Sequence, residues 1–129
     1  MDTQKDEIKT VKVDNNLIDH FFMQYITPEN RAEIMQRLEE KRSIVAGFFL
    51  KEKLLFVTVL DFEHDTLHVR EVGGYFARTY EVLDHFTKGF AKYCNLTYVT
   101  FNTNHRAIEK FANRAGFENN GDEFVKVIH

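Results

Sequence analysis

The stretch from Ser43 to Gly74 constrains the fold most. It holds three apolar, β-branched and aromatic segments: IVAGFFL at 44–50, LLFVTVLDF at 54–62 and TLHVREV at 66–72. Only Lys51-Glu52-Lys53 separates the first two, and only Glu63-His64-Asp65 the second two. Segments of this length and residue type read as strands. A three-residue polar connection cannot carry the crossover that parallel neighbours require, so the segments form an antiparallel meander. Gly73-Gly74 then breaks the third strand.

The flanking sequence supplies what covers such a sheet. IKTVKV at 8–13 alternates apolar and polar residues and reads as a further strand. Asp14 or Asn15 caps a helix carrying Leu17, Ile18, Phe21, Phe22 and Tyr25 at helical spacing. Thr27-Pro28-Glu29 starts a second helix: Thr27 caps, Pro28 takes the first position, where its missing N–H is harmless, and Glu29 suits the positive end of the dipole. Its stripe is Ala32, Ile34, Met35 and Leu38, and it ends near Arg42. Beyond the meander, a helix from about Arg78 to Tyr93 turns Val82, Leu83, Phe86, Phe90 and Ala91 to one side. LTYVTF at 96–101 is a strand. Asn104 caps a helix through about Arg114 with Ala107, Ile108 and Phe111 inward, Gly116 suits its stop, and EFVKVI at 123–128 is a last strand. The predicted order is β-α-α-β-β-β-α-β-α-β, an α/β chain with a mixed sheet and helices on its faces. Strands 66–72 and 96–101 are expected to be parallel neighbours joined by the helix between them.

The 129 residues fit a single domain spanning 1–129, with one proline, no repeat and no linker. Phenylalanine is abundant at 13, beside 5 Tyr and no Trp, which implies an aromatic core or an apolar partner surface. Phe48, Phe49, Phe56 and Phe62 lie on neighbouring strands and are expected in that core. The net charge of −3 comes from 17 basic and 20 acidic residues with no long block of either sign, which argues against a nucleic-acid partner. The single Cys94 excludes an internal disulfide and a cysteine-built zinc site. No apolar run reaches the roughly 18 residues of a membrane helix. The polar start MDTQKDEIK is not a signal peptide, so a cytoplasmic location is expected. No metal site is expected. His64 and His68 sit on a hairpin where a spacing of four does not converge, and His105 and His129 stand isolated in sequence.

The C-terminal half carries recognisable motifs. NHRAIEKFANRAGF, from Asn104 to Phe117, has an Asn, an Ala-Ile pair, an aromatic and a closing Gly-Phe. VLDHFTKGFAKYCNLTYVTFNTN before it delivers a long helix into a strand, and HFFMQYITPENRAEIMQ near the front forms two adjoining helices. In these stretches and in its element order the chain resembles the GNAT N-acetyltransferase superfamily. In character it is most similar to the small GNAT-like proteins that bacteriophages encode.

That resemblance implies a fold, an activity and a cofactor. The activity is acetyl transfer from acetyl-CoA to an amine. The pantetheine arm would pair with the strand around Val69 and Val72. The pyrophosphate would meet the turn and helix start that contain Gly73, Gly74, Ala77, Arg78 and Thr79, where backbone N–H groups and the helix dipole favour an anion. Asn104 belongs to the same cofactor-binding set. Arg78 and Lys88 would add positive charge. The family's glycine-rich turn is altered here: aligned without a gap, its glycine positions fall on Ala77 and Thr79; alternatively Arg70-x-x-Gly73 is its remnant, followed by an insertion. The family's usual acid, a Tyr of the closing helix, is replaced by Phe111, which reads as core. Tyr75, Tyr80 or Tyr93 would have to protonate the thiolate, with Tyr75 and Glu71 forming the catalytic set. Glu71 would act as base, with Asp61 and Glu63 as weaker candidates. The alternative is a GNAT-fold phage protein without catalysis, a virion component or a binder of a host protein. Oligomerisation is open in either case.

Overall fold

The computed structural model describes residues 8–22, 26–74, 78–103 and 105–129. Its strands are β1 (Ile8–Lys12), β2 (Ser43–Leu50), β3 (Lys53–Glu63), β4 (Thr66–Gly74), β5 (Tyr98–Asn102), β6 (Glu118–Asn120) and β7 (Glu123–Val127). Its helices are α1 (Leu17–Phe22), α2 (Pro28–Glu39), α3 (Thr79–Tyr93) and α4 (Arg106–Arg114). The strands form one mixed sheet of seven in the order β1-β2-β3-β4-β5-β7-β6. β2 and β3 are antiparallel, and β4 and β5 are parallel, with Thr66 opposite Tyr98 and Val69 opposite Phe101. Both relations match the sequence expectation. Two details differ. The strand containing Gly73-Gly74 runs through both glycines, and β6, three exposed polar residues, forms a hairpin with β7 at Gly121, whose φ is +81°.

The chain divides into two compact units, Met1–Asp61 with Glu71–Ala77, and Phe62–Arg70 with Arg78–His129. In the first, Ile18, Phe22, Ile34, Val45, Val57 and Val59 form a core with no solvent exposure. Phe48 stacks on Phe56 with centroids 4.2 Å apart. Thr27 caps α2 by accepting from the Asn30 amide at 3.1 Å, and Pro28 occupies the first turn, as the sequence predicts. Ala32 is exposed, while Arg37 is buried. The reason is polar: Arg37 Nε donates to Ser43 Oγ at 3.0 Å and lies 3.4 Å from Asp61 Oδ1, and Ser43 Oγ donates to the same carboxylate oxygen at 2.5 Å. A hydropathy stripe cannot anticipate a buried cation that is chosen by its partners.

In the second unit, Phe101 stacks on Phe124 at 5.3 Å and meets Phe117 edge-on at 5.0 Å. The inner face of α3 is Thr79, Leu83, Thr87 and Ala91, while Val82, Phe86 and Phe90 are half-buried. Two threonines thus stand where periodicity assigns aromatic residues. In α4 Ala112 is buried, Ala107 is exposed, and Phe111 is half-buried rather than core. Among the described phenylalanines, Phe22, Phe48, Phe56, Phe117 and Phe124 are buried and the others are half-buried.

Candidate functional site

Two stretches carry most of the sequence-predicted residues: the second half of β4, and the start of α3. On β4, the parallel ladder with β5 covers Thr66–Val69, and the strand then runs on through Arg70–Gly74. Val69, Glu71 and Val72 are half-buried. Glu71 lies inside the strand, not at its end, and its carbonyl accepts a hydrogen bond from the buried Thr58 hydroxyl at 2.8 Å. Asp61 belongs to the buried Arg37–Ser43 network and is committed to structure.

Gly73 and Gly74 are explained by their own surroundings. A Cβ on Gly73 would stand 2.6 Å from the Phe22 ring. Gly74 has φ +106°, and a Cβ there would meet the Leu55 carbonyl oxygen and Phe56 Cα at 3.0 Å. Close approach of backbone and ring therefore requires both glycines without any ligand. Tyr75, Ala77 and Asn104 lie outside the described residues.

At the start of α3, Arg78 holds the N-cap position with no side-chain cap bond. Its guanidinium pairs with Glu81 at 3.2 Å, both groups being well exposed. Thr79, the first helical residue, is buried. The Tyr80 ring lies 5.9 Å from that of Phe111, so a phenol stands beside the residue that cannot give a proton. Tyr93 ends the same helix and is 85% exposed. Thirteen residues of helix place it about 20 Å from Tyr80, which removes it from any shared role with Phe111. The same arithmetic puts Lys88 about 15 Å along the helix from Arg78, too far to join it on one pyrophosphate.

Lys88 instead lines an open groove of about 500 Å³ with His85, Gly89 and Lys92 of α3 and with Lys126–His129. His129, isolated in sequence, is not isolated in space. The sequence hid this basic group because α3 and the end of β7 are more than thirty positions apart. Among the described residues no group of three His, Cys, Asp or Glu side chains could hold a metal ion, and no helix is long and apolar enough to cross a membrane.

No family model matches the chain, and no curated protein matches it. Solved structures do. An acetyltransferase of the GNAT family from Staphylococcus aureus superposes with a TM-score of 0.68 at 8% identity, covering 95% of this chain and 99% of the other. The fold is the GNAT acetyltransferase fold. A Bacillus subtilis acetyltransferase in complex with CoA gives 0.67 at 12% identity, over 94% of this chain and 95% of that one. The PaiA N-acetyltransferase of Thermoplasma acidophilum, in complex with coenzyme A, gives 0.61 at 11% identity over 94% and 98%. At these identities the likeness is one of fold, and it spans the chain nearly end to end.

Proposed function

We propose that this chain is an acetyl-CoA-dependent N-acetyltransferase. The observation that carries the reading is the course of β4: its parallel ladder with β5 covers Thr66–Val69, and the strand continues to Gly74. In this fold the pantetheine arm pairs with that continuing strand, here around Val69 and Val72. The pyrophosphate would use backbone N–H groups at the start of α3, which has no side-chain cap of its own. Arg78 would leave Glu81, an exposed pair worth little, and turn to the phosphates. Gly73, Gly74, Ala77, Thr79 and Asn104 complete the proposed cofactor surface.

In the reaction the amine nitrogen attacks the thioester carbonyl, and a β4 N–H polarises the developing oxyanion. Glu71, or a water it orients, takes the amine proton. The C–N bond forms, the C–S bond breaks, and the CoA thiolate is protonated by Tyr75 or by Tyr80 beside Phe111. Three observations favour the second reading, a GNAT-fold phage protein that binds a virion or host protein without catalysis. Gly73 and Gly74 are required by internal contacts, Arg78 already has a carboxylate, and Phe111 replaces the usual acid.

Calorimetry with acetyl-CoA separates the two. The enzyme reading expects binding, and it expects Arg78→Glu to weaken that binding at least about tenfold, or 1.4 kcal/mol, with little change in Tm. Glu71→Gln should lower turnover more than cofactor affinity, because a base acts on the amine and not on CoA. No binding at millimolar acetyl-CoA would discard the enzyme. Binding that ignores Arg78→Glu would place the cofactor elsewhere.

A further inference from the structure

The groove along α3 is independent of the acetyl-transfer reading. His85, Lys88 and Lys92 follow one another at helical spacing, and all three side chains are exposed. Among the described residues, neither Lys88 nor Lys92 has an ion-pair partner. Lys126, across the groove, is different. Its ammonium is 3.1 Å from Asp84, with both side chains mostly covered, and it lies 5.2 Å over the Phe117 ring. The groove is therefore lined by one ion-paired cation and by two exposed cations that have no ion-pair partner among the described residues. This local excess sits on a chain whose net charge is −3.

Gly89 lines the groove between Lys88 and Lys92 and is exposed. A glycine inside a helix costs about 1 kcal/mol against alanine. Such a residue is usually kept because a neighbour needs the room. Here nothing lies within 4 Å of where a Cβ would be, so the position opens onto the groove. Facing it is Val127, which is 49% exposed, one of few large apolar residues so exposed in the described chain. The open space over Gly89, the exposed Val127 and two ammoniums one helical turn apart, without an ion-pair partner among the described residues, form a complementary surface for a particular ligand chemistry.

We propose that this groove docks an acidic segment of a partner protein. Its carboxylates would pair with Lys88 and Lys92, and an apolar side chain would seat over Gly89 against Val127. A free phosphate fits less well. Phosphate sites draw on backbone N–H donors, and those of a mid-helix segment are already used within the helix. Two lysines are also too few for a nucleic-acid face, which neutralises many phosphates at once. Carboxylates spaced along a chain match lysines whose Cβ atoms stand about 6 Å apart.

The test uses a fluorescein-labelled peptide, Glu-Glu-Leu-Glu-Glu with blocked ends, titrated with the full chain at low salt and followed by polarisation. Saturable binding is expected, weakened about tenfold or more by the pair Lys88→Glu and Lys92→Glu. Gly89→Leu should fill the open space, and should weaken binding about threefold or more while raising Tm. This second variant guards against a charge change that merely perturbs the helix. Changing the peptide's Leu to Gly should weaken binding as well. Several results would overturn the proposal: no binding at millimolar peptide, affinity unchanged by either protein variant, or no preference for Leu over Gly. Equal competition by inorganic phosphate at the peptide's own concentration would also overturn it, by assigning the groove to small anions.

Discussion

The first unit encloses one charged network, whereas the covered ion pair of the second lies nearer its surface. In the first, Arg37, Ser43 and Asp61 tie α2, β2 and β3 together, and both charged side chains are less than a tenth exposed. In the second, Lys126 and Asp84 are 15% and 17% exposed, while Lys88 and Lys92 extend into solvent. Enclosed charge is useful only where every donor and acceptor is met, because an unmatched charge in a core carries a large desolvation penalty. No buried side-chain polar atom among the described residues lacks a hydrogen-bond partner. The lesson is a difference in what is buried: the first unit adds a charged network to its aromatic and aliphatic core, and the second relies on aromatic stacks with its covered ion pair nearer the surface.

Breaking each device tests that contrast. Asp61→Ala should produce the largest loss, about 3–5 kcal/mol, because it removes the buried carboxylate against which Arg37 and Ser43 are both placed. Phe124→Ala is the matching lesion in the second unit, with a loss of about 3–5 kcal/mol from a vacated aromatic site. Urea unfolding gives both values, and hydrogen exchange distinguishes their character. Asp61→Ala should loosen α2, β2 and β3 first, and Phe124→Ala should loosen β5 and β7. A loss below about 1 kcal/mol for Asp61→Ala would mean that the network specifies the fold without stabilising it.

Gly74→Ala should come next, at about 1–3 kcal/mol, the range for a non-glycine residue forced into a rare backbone conformation. Its φ is +106°, and the nearest atoms a methyl would meet, the Leu55 carbonyl oxygen and Phe56 Cα, are backbone and cannot swing aside. A neutral result, read from the same urea curves, would show that β4 relaxes at Gly74. It would also reopen a ligand as the reason for the glycine.

The meander was legible because three apolar segments and two short polar turns leave few alternatives, and β2 and β3 pair as those turns require. The Thr27-Pro28 start was legible because capping is local chemistry. What escaped notice depends on partners distant in sequence. Arg37 is buried only because Ser43 and Asp61 await it, and Thr79 and Thr87 line the inner face of α3 where hydropathy selects phenylalanines. β6 escaped because Glu118-Asn119-Asn120 is wholly exposed, which leaves no alternation to detect. Of the candidate site, the strand and helix that bear it could be read, along with their order. That Gly73 and Gly74 answer to Phe22 and Phe56 could not, since a glycine's neighbours are absent from its local sequence. The basic groove was invisible for the same reason.

The smallest effect is expected at the surface pair of the first unit, where Arg31 of α2 meets Asp19 of α1 through two contacts, at 2.5 and 2.8 Å. Hydrogen bonding by the Arg31 guanidinium holds the Asp19 carboxyl below its ordinary value, with desolvation opposing the effect and the nearby positive charge adding to it. A carboxyl depressed in the folded state adds stability that is fully present above its unfolded value, near 3.9, and is lost as pH falls through the lower folded value. Wild type should therefore exceed Asp19→Asn in Tm at neutral pH, and the two should converge as acid protonates Asp19. Added salt at about 1 M, where the screening length shrinks to about 3 Å, should narrow the neutral-pH gap as well. The enclosed network should respond differently, since water and ions do not reach it. The difference between wild type and Asp61→Ala should persist at a salt concentration that erases the Asp19 effect. If salt erased both equally, the Arg37 network would be as solvated as the surface pair, and the contrast between enclosed and exposed charge would fail.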